Sequence, residues 1–117
     1  MKALVARLTW WALLTACLVA LCGLAAAQSG TVSSAGETLF KAKCAMCHGP
    51  DGAGKTMMGE RLKIPDLRSE EVQKQTDAQL KDVITTGKAK MPAYKGKLTP
   101  EQVDQLVAEI RELGKRK

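Results

Sequence analysis

The chain has 117 residues, of which 45% are hydrophobic and 26% are charged, and its net charge is +6 at pH 7. That length holds one small domain, so it excludes large enzymes, solenoid repeats and polytopic membrane proteins. The composition is typical of a folded globular protein rather than a disordered one. Only 3% of the residues are aromatic, and a domain this small with so few large rings is expected to need a bound cofactor or metal to stabilise its core.

The first residues are typical of an export signal. Lys2 and Arg7 give a positive start, residues 8–27 carry no charge, and the last three residues of that run are the small alanines that a signal peptidase requires. We expect cleavage after Ala27, with the folded part outside the cytoplasm, in the periplasm or an equivalent compartment.

Two alternatives to cleavage remain open for the leader. An apolar run of about 20 residues is long enough to be retained as a membrane anchor, and the Leu-Thr-Ala-Cys sequence ending at Cys17 resembles a lipidation signal. Both alternatives also place the folded part outside the cytoplasm. We expect membrane contact only if the leader is retained or lipidated.

The charge of the chain after the leader argues against nucleic acid as a partner. Cleavage would remove Lys2 and Arg7, so the net charge would fall from +6 to +4. The other basic residues are spread along the chain and are not interleaved with aromatic residues, as they usually are in nucleic-acid-binding proteins. We expect a monomer that does not bind nucleic acid.

The chain divides into an expected signal peptide at 1–27, a short linker at 28–34 and one domain at 35–117. Four helix signals follow the leader, and there is no convincing strand, so the predicted fold class is all-α. The first signal is the capping-box pair of Ser34 and Glu37, which is expected to open a short helix that reaches the first cysteine of the domain.

The middle of the domain combines a loop with two helix signals. Glycine and proline residues predict that 49–59 is a loop. Ser69 is expected to cap one or two helical turns through Val72. Thr76 is expected to open a longer helix that ends at Gly87.

The last helix has the clearest start signal. Thr99 is the predicted N-cap, Pro100 is the first helical residue, and Gln102 follows at the third helical position. One apolar stripe then runs along the helix, formed by Val103, Leu106, Val107 and Ile110. We expect this helix to end near Gly114.

Residues 44–48 read Cys-Ala-Met-Cys-His, which is the C-x-x-C-H signature of covalent c-type haem attachment. Cys44 and Cys47 can form thioethers with two vinyl groups on one side of a porphyrin. His48 is then carried under the ring, where its imidazole can ligate the iron. The motif therefore predicts one haem c.

Three competing kinds of site fit this motif less well. A zinc site needs four ligands, and the chain after the leader offers only Cys44, Cys47 and His48. A thioredoxin-type redox pair needs a βαβ context, which is missing. A disulfide across two intervening residues closes too short a loop to stabilise the fold much.

With these residues the chain resembles the class I c-type cytochromes, the small soluble single-haem family with His and Met axial ligands. The similarity runs from about residue 36 to residue 113. Gly36 and Phe40 stand two helical turns and one turn before Cys44, as they do in the family, and glycine-rich sequence follows the histidine. Residues 91–94, Met-Pro-Ala-Tyr, match the family's Met-Pro-Ala-aromatic segment.

The resemblance implies three to four short helices wrapped around one covalently bound haem, with Met91 as the sixth iron ligand. Spacing alone leaves Met57 and Met58 as competitors, because their loop could reach the distal side of a haem, whereas Met46 lies between the cysteines and cannot. The chain departs from the family at Glu109, where the terminal helix usually carries an aromatic residue that packs on the first helix.

Two residues are expected to support the haem. A metal-bound histidine almost always donates its other ring N–H to an acceptor. The family uses a proline carbonyl for this purpose, and Pro65 matches that segment, although Pro65 could also serve only to shape its loop. Tyr94 is expected either to pack beside the haem or to bond a haem propionate.

The resemblance also implies the function. His48 and Met91 would fill both axial positions, so the iron could cycle between Fe(III) and Fe(II) without a change of coordination. We therefore expect a one-electron carrier between redox proteins and not an enzyme. Two alternatives remain open, namely a five-coordinate haem c that acts as a gas sensor or peroxidase, and a membrane-tethered cytochrome subunit of a respiratory complex.

Lysines are frequent near both parts of the expected haem site. Four flank the expected methionine ligand, namely Lys88, Lys90, Lys95 and Lys97, and three flank the cysteines, namely Lys41, Lys43 and Lys55. A positive ring around a haem edge would steer the protein onto an acidic patch of a redox partner. The alternative is that these lysines only keep a small protein soluble.

Overall fold

The computed structural model describes the backbone of residues 29–116 and the side chains of residues 34–116. The expected export signal therefore lies outside the described residues. The described part of the chain contains helices and two isolated bridges but no strand, so the all-α prediction is confirmed. None of its helices is long and apolar enough to cross a membrane.

Six helical segments make up this part of the chain. In order they are α1 (Ser29–Lys43), α2 (Ala45–His48), α3 (Met57–Leu62), α4 (Glu70–Gln73), α5 (Asp77–Thr86) and α6 (Pro100–Lys115). The four predicted helices correspond to α1, α4, α5 and α6. The sequence pattern misses the two short segments α2 and α3.

The predicted ends of the later helices are confirmed. The Ser69 side chain accepts a hydrogen bond from the backbone N–H three residues later and caps α4. Thr76 and Thr99 each form a complete capping box with the glutamine three residues later, at the starts of α5 and α6. Pro100 is the first residue of α6, and Gly87 ends α5.

The start of α1 differs from the prediction. The helix begins at Ser29, so Ser34 is an interior helix residue and not the N-cap. A capping box would require the Glu37 side chain to reach back toward residue 34. Glu37 instead pairs with Lys41 one turn later, at 2.7 Å, which is the usual arrangement inside a helix. α1 therefore includes most of the segment that the sequence suggested was a linker.

The predicted loop at 49–59 is shorter than expected because α3 begins at Met57. The Thr56 hydroxyl accepts a hydrogen bond from the N–H of Gly59 at 2.9 Å and donates one to the carbonyl of Cys47 at 2.8 Å. A Cβ on Gly59 would lie 2.6 Å from that same carbonyl oxygen, so only glycine allows this approach. α3 is thereby held directly against α2.

The hydrophobic core combines residues of α1, α5 and α6 with two residues from the segment between α3 and α5. Its buried members are Phe40, Leu67, Val72, Leu80, Ile84, Val103, Leu106, Val107, Ile110 and Leu113. All four residues of the predicted apolar stripe on α6 belong to it. Burial of each large side chain contributes about 1.5–3 kcal/mol to folding before entropy is counted.

α1 and α6 meet at Gly36. A Cβ at this position would lie 2.5 Å from the carbonyl oxygen of Gln105, so the close contact depends on glycine. The side chain of Glu109, where the family carries an aromatic residue, is buried at the same contact and is only 2% exposed. Its Oε1 accepts a hydrogen bond from Arg116, whereas its buried Oε2 has no hydrogen-bond partner in the described part of the chain.

Candidate functional site

Cys44, Cys47 and His48 lie where α1 passes into α2. Cys44 separates the two helices, and its N–H donates to the carbonyl of Phe40 at 2.8 Å, so the chain keeps its helical path. His48 is the last residue of α2, and Gly49 turns the chain away with a φ of 79°. Both cysteines are half-buried and free, so no disulfide joins them.

Three cavities meet at His48 and Met91, because these two residues line all three of them. Their volumes are about 320, 130 and 60 Å³. The second cavity is also lined by Cys44 and Cys47. Most of the remaining lining is apolar, including Leu62, Ile64, Leu67, Leu80 and Val83. The arrangement forms a divided apolar cleft with sulfur and imidazole groups on its walls.

The burial and protonation state of the His48 ring suit it to ligand binding. Its Nδ1 atom is buried and has no hydrogen-bond partner among residues 34–116. Burial lowers the pKa of His48, which favours the neutral imidazole that ligates metals. A buried ring nitrogen without a partner costs stability unless a ligand or hydrogen-bond acceptor occupies the site. In residues 34–116, no group of three or more His, Cys, Asp or Glu residues could hold a bare metal ion.

The cysteines fit attachment of an organic cofactor. Burial raises the pKa of Cys44 to about 11, with a smaller contribution from Cys47. Cys44 is therefore a protonated thiol at neutral pH and not a poised thiolate nucleophile. The combination of two thiols, one buried imidazole and an apolar cleft fits haem c, which needs thioether attachment, an axial nitrogen and an apolar pocket.

Met91 is fixed in the loop between α5 and α6. Its N–H donates to the carbonyl of Lys88 at 2.9 Å, and its carbonyl accepts from the N–H of Lys88 at 3.3 Å. The N–H of Tyr94 donates to the carbonyl of Ile84 at 3.1 Å and ties the loop to α5. The half-buried Met91 side chain is thus held where the three cavities meet.

The other methionines of the described residues are more exposed than Met91 and do not line all three cavities. Met57 and Met58 are 90% and 41% exposed on α3, and neither lines any of the three cavities. Met46 is 79% exposed at the rim of the cavity that contains the cysteines. Exposure and position therefore favour Met91 over these three methionines as the sulfur ligand.

The two expected supporting residues both line the site. Pro65 shares the largest of the three cavities with His48, but His48 Nδ1 makes no hydrogen bond, so the Pro65 carbonyl as its acceptor stays a prediction. Tyr94 lines the cavity that contains the cysteines, and its hydroxyl donates to the carbonyl of Lys43 at 3.0 Å. That bond occupies the proton that a propionate would need, so the arrangement favours packing beside the haem.

Five of the seven lysines named from sequence fall into two groups. Lys43, Lys88 and Lys90 line the cavities that contain His48 and Met91. Lys41 is paired with Glu37, and Lys95 lines a separate cavity of about 440 Å³ between α5 and α6 that contains neither His48 nor a cysteine. Lys63, which the sequence pattern did not indicate, also lines the largest cavity of the cleft.

The apolar walls of the cleft were not identified from sequence. Leu80 and Val83 lie on α5, one helical turn apart, a spacing that indicates a buried helix face but no cofactor. Leu62 belongs to the unpredicted helix α3. One feature of the sequence could have indicated these walls, namely the shortage of large side chains for the core, because a haem would occupy the missing volume.

Comparisons with known proteins identify the family of the chain. The family described as cytochrome c oxidase, cbb3-type, subunit III matches residues 32–108. The chain is 32% identical to a cytochrome c6 of Nostoc sp. over 80 residues, which cover 68% of each protein. It is 35% identical to a cytochrome c6 of Anabaena variabilis over 68% of this chain and 87% of that protein.

A larger relative matches only in part. The cbb3-type cytochrome c oxidase subunit FixPc of Rhizobium leguminosarum is 34% identical over 71% of this chain, which covers 28% of FixPc. The haem-binding motif, the all-α fold, the apolar cleft and these matches all lead to the same family. The chain belongs to the class I c-type cytochromes.

Proposed function

We propose that this cytochrome carries single electrons between redox proteins, with His48 and Met91 as the two axial ligands of one haem c attached through Cys44 and Cys47. The observation that carries the proposal is that His48 and Met91 line the same three cavities, beside the two free cysteines. When bound, the haem supplies a one-electron Fe(III)/Fe(II) couple.

The side chains of the chain set the properties of that couple. The neutral imidazole of His48 and the thioether of Met91 together favour the reduced state and a high potential. The apolar walls formed by Leu67, Leu80 and Val83 would shield a bound haem from water on that side of the cleft. Backbone hydrogen bonds fix the Met91 loop to Lys88 and α5, which would limit movement of this ligand when the iron changes charge.

The same features argue against catalysis. An enzyme that acts on oxygen, peroxide or another small ligand needs an open axial position, and two protein ligands leave none. A gas sensor or peroxidase would require that Met91 not bind or leave easily. The two-ligand site therefore supports a carrier and not an enzyme.

The proposed compartment is outside the cytoplasm. The charged start, the apolar run and the alanines before residue 28 support export. We propose a periplasmic carrier, soluble once the leader is removed and tethered to the membrane if the leader is retained or lipidated.

Ligand binding to the reduced protein tests the carrier assignment. The exported protein is reduced with dithionite and exposed to carbon monoxide, and voltammetry is recorded on the same sample. A carrier shows one reversible one-electron wave and no spectral change with carbon monoxide. Rapid carbon monoxide binding by the native protein would instead support the five-coordinate sensor or peroxidase.

A further inference from the structure

One wall of the cleft beside His48 is formed by residues 64–67, which lie outside any helix. Three of these residues, Ile64, Pro65 and Leu67, line the largest cavity together with His48. A loop segment opens more easily than a helix unless its backbone groups are bonded to other parts of the fold. The hydrogen bonds of the 64–67 wall therefore determine how firmly it is held beside the histidine.

The backbone of Leu67 is bonded on both sides. Its N–H donates to the carbonyl of Gly52 at 2.9 Å, in the loop that follows His48. The same loop returns to the histidine, because the N–H of Gly54 donates to the carbonyl of His48 at 2.7 Å. On the other side, the carbonyl of Leu67 accepts a hydrogen bond from Nε2 of Gln73 at 2.7 Å. Gln73 is thus the side chain that fastens the 64–67 wall from outside the cleft.

The Gln73 amide also reaches α6. Its Nε2 donates a second hydrogen bond to the carbonyl of Ile110 at 3.0 Å, 37 residues along the chain. An amide NH₂ group has two protons, so these two bonds use both of them. The Gln73 backbone is held as well, because the Arg111 guanidinium donates to its carbonyl at 2.9 Å. One half-buried side chain therefore joins the 64–67 wall to the last helix.

Space for the Gln73 amide depends on Gly114. A Cβ on Gly114 would lie 2.5 Å from Cδ of Gln73, and 2.7 and 2.8 Å from its amide oxygen and nitrogen. Alanine at this position would therefore displace the amide. Because alanine is otherwise favoured over glycine in a helix, the glycine is explained by the room that it leaves for Gln73.

We propose that Gln73 is a positioning residue for the haem site, which holds the 64–67 wall so that the Pro65 carbonyl can accept the Nδ1–H of iron-bound His48. This inference rests on the proposed function as a haem carrier. A ligating histidine is oriented by such an acceptor, and Nδ1 of His48 has no hydrogen-bond partner among residues 34–116. Gln73 lines none of the three cavities of the cleft, so it acts through Leu67.

Exchange of the His48 Nδ1 proton with solvent, followed by NMR in the reduced holoprotein, tests the proposal. Gln73→Ala removes both donated bonds, and Gly114→Ala displaces the amide from the other side, which gives an independent test. The two changes are also combined. Gln102→Ala is the matched control, because the Gln102 side chain accepts a backbone hydrogen bond at 2.9 Å at the start of α6 and lines no cavity of the cleft. Urea unfolding measures the global stability of each holoprotein.

Gln73→Ala is expected to speed exchange of the Nδ1 proton about tenfold, because the loss of two hydrogen bonds makes local opening of the 64–67 wall easier. Gln102→Ala should speed exchange only as far as its loss of global stability requires. Gly114→Ala should speed exchange in the native background and have no further effect when residue 73 is already alanine. This dependence on Gln73 separates positioning from a general loss of stability.

Exchange in Gln73→Ala that is no faster than its loss of global stability explains would overturn the proposal. So would equal effects of Gly114→Ala in the two backgrounds, or a native Nδ1 proton that already exchanges too fast to observe. The carrier function has a separate readout, which is the reversible one-electron couple of the native protein. If that couple is present and the exchange results fail, only the role of Gln73 is wrong, whereas an absent couple means that the proposed function itself fails.

Discussion

Arg116 donates a hydrogen bond to Oε1 of Glu109, which joins the C-terminal end of α6 to a carboxylate that is only 2% exposed. The Arg116 side chain is half exposed, whereas Oε2 of Glu109 is buried and finds no hydrogen-bond partner among the residues that the structure describes. The family resemblance implies an aromatic residue at this helix contact. In the described part of the chain, this contact instead holds a buried carboxyl group that bonds to Arg116.

Removal of the Arg116 side chain should destabilise the fold. In Arg116→Ala the Glu109 carboxylate stays buried without its partner, and we expect a loss of about 1–2 kcal/mol, less than for a fully buried pair because Arg116 is partly solvated. Glu109→Leu removes the charge and the unpaired oxygen together, so it should be neutral or stabilising. Urea unfolding of the holoprotein, followed by circular dichroism, measures both changes.

A control comes from an ion pair on the same helix. Lys115 and Glu112 are paired at 2.6 Å on the surface, and Lys115→Ala should change stability by less than about 0.5 kcal/mol. If Arg116→Ala is as mild as Lys115→Ala, or if Glu109→Leu destabilises more than Arg116→Ala, the buried pair does not have the role described.

Covalent attachment gives a second prediction. Mass spectrometry of the exported protein after acid–acetone extraction should show the chain plus one haem. Cys44→Ala and Cys47→Ala should each leave at most one thioether, and His48→Ala should remove the proximal ligand, so each variant should yield less stable haem protein. An exported native chain without added haem mass would contradict the cofactor assignment.

The sequence predicted the parts of this site that depend on local patterns. The cysteine and histidine spacing, the threonine caps of α5 and α6 and the glycine at the end of α5 act over a few residues, so they can be recognised without the fold. The predicted start of α1 was wrong because Ser34 and Glu37 satisfy the capping pattern, although Glu37 forms its bond with Lys41 instead. α3 was missed because it starts inside the glycine-rich stretch that predicts a loop, although Thr56 caps it through the N–H of Gly59.

The sequence predicts a ring of lysines around the haem edge, and the structure shows which of these lysines line the cleft. Lys88 and Lys90 line the cleft, whereas Lys95 does not. Oxidation of the reduced protein by anionic ferricyanide should therefore slow as salt rises from about 0.01 to about 0.15 M, since the screening length falls from about 30 Å to about 8 Å. Lys90→Glu should slow this oxidation several-fold at low salt, and Lys115→Glu, at the end of α6, should change it little.

With a cationic oxidant, the effect of Lys90→Glu on the oxidation rate should be reversed. A cobalt(III) phenanthroline complex should react faster with Lys90→Glu than with the native protein, because the reversal lowers the positive potential near the cleft. Rates that do not depend on salt, or equal effects of Lys90→Glu and Lys115→Glu, would mean that these lysines contribute only to solubility.

Ligation of the haem iron by Met91 is the central claim, and the visible spectrum of the ferric protein tests it most directly. Ferric iron with a methionine ligand has a weak sulfur-to-iron absorption band at the red end of the spectrum. The native protein and Met57→Ala should both show the band, and Met91→Ala should lose it and gain carbon monoxide binding when reduced. A band that persists in Met91→Ala and disappears in Met57→Ala or Met58→Ala would contradict the claim.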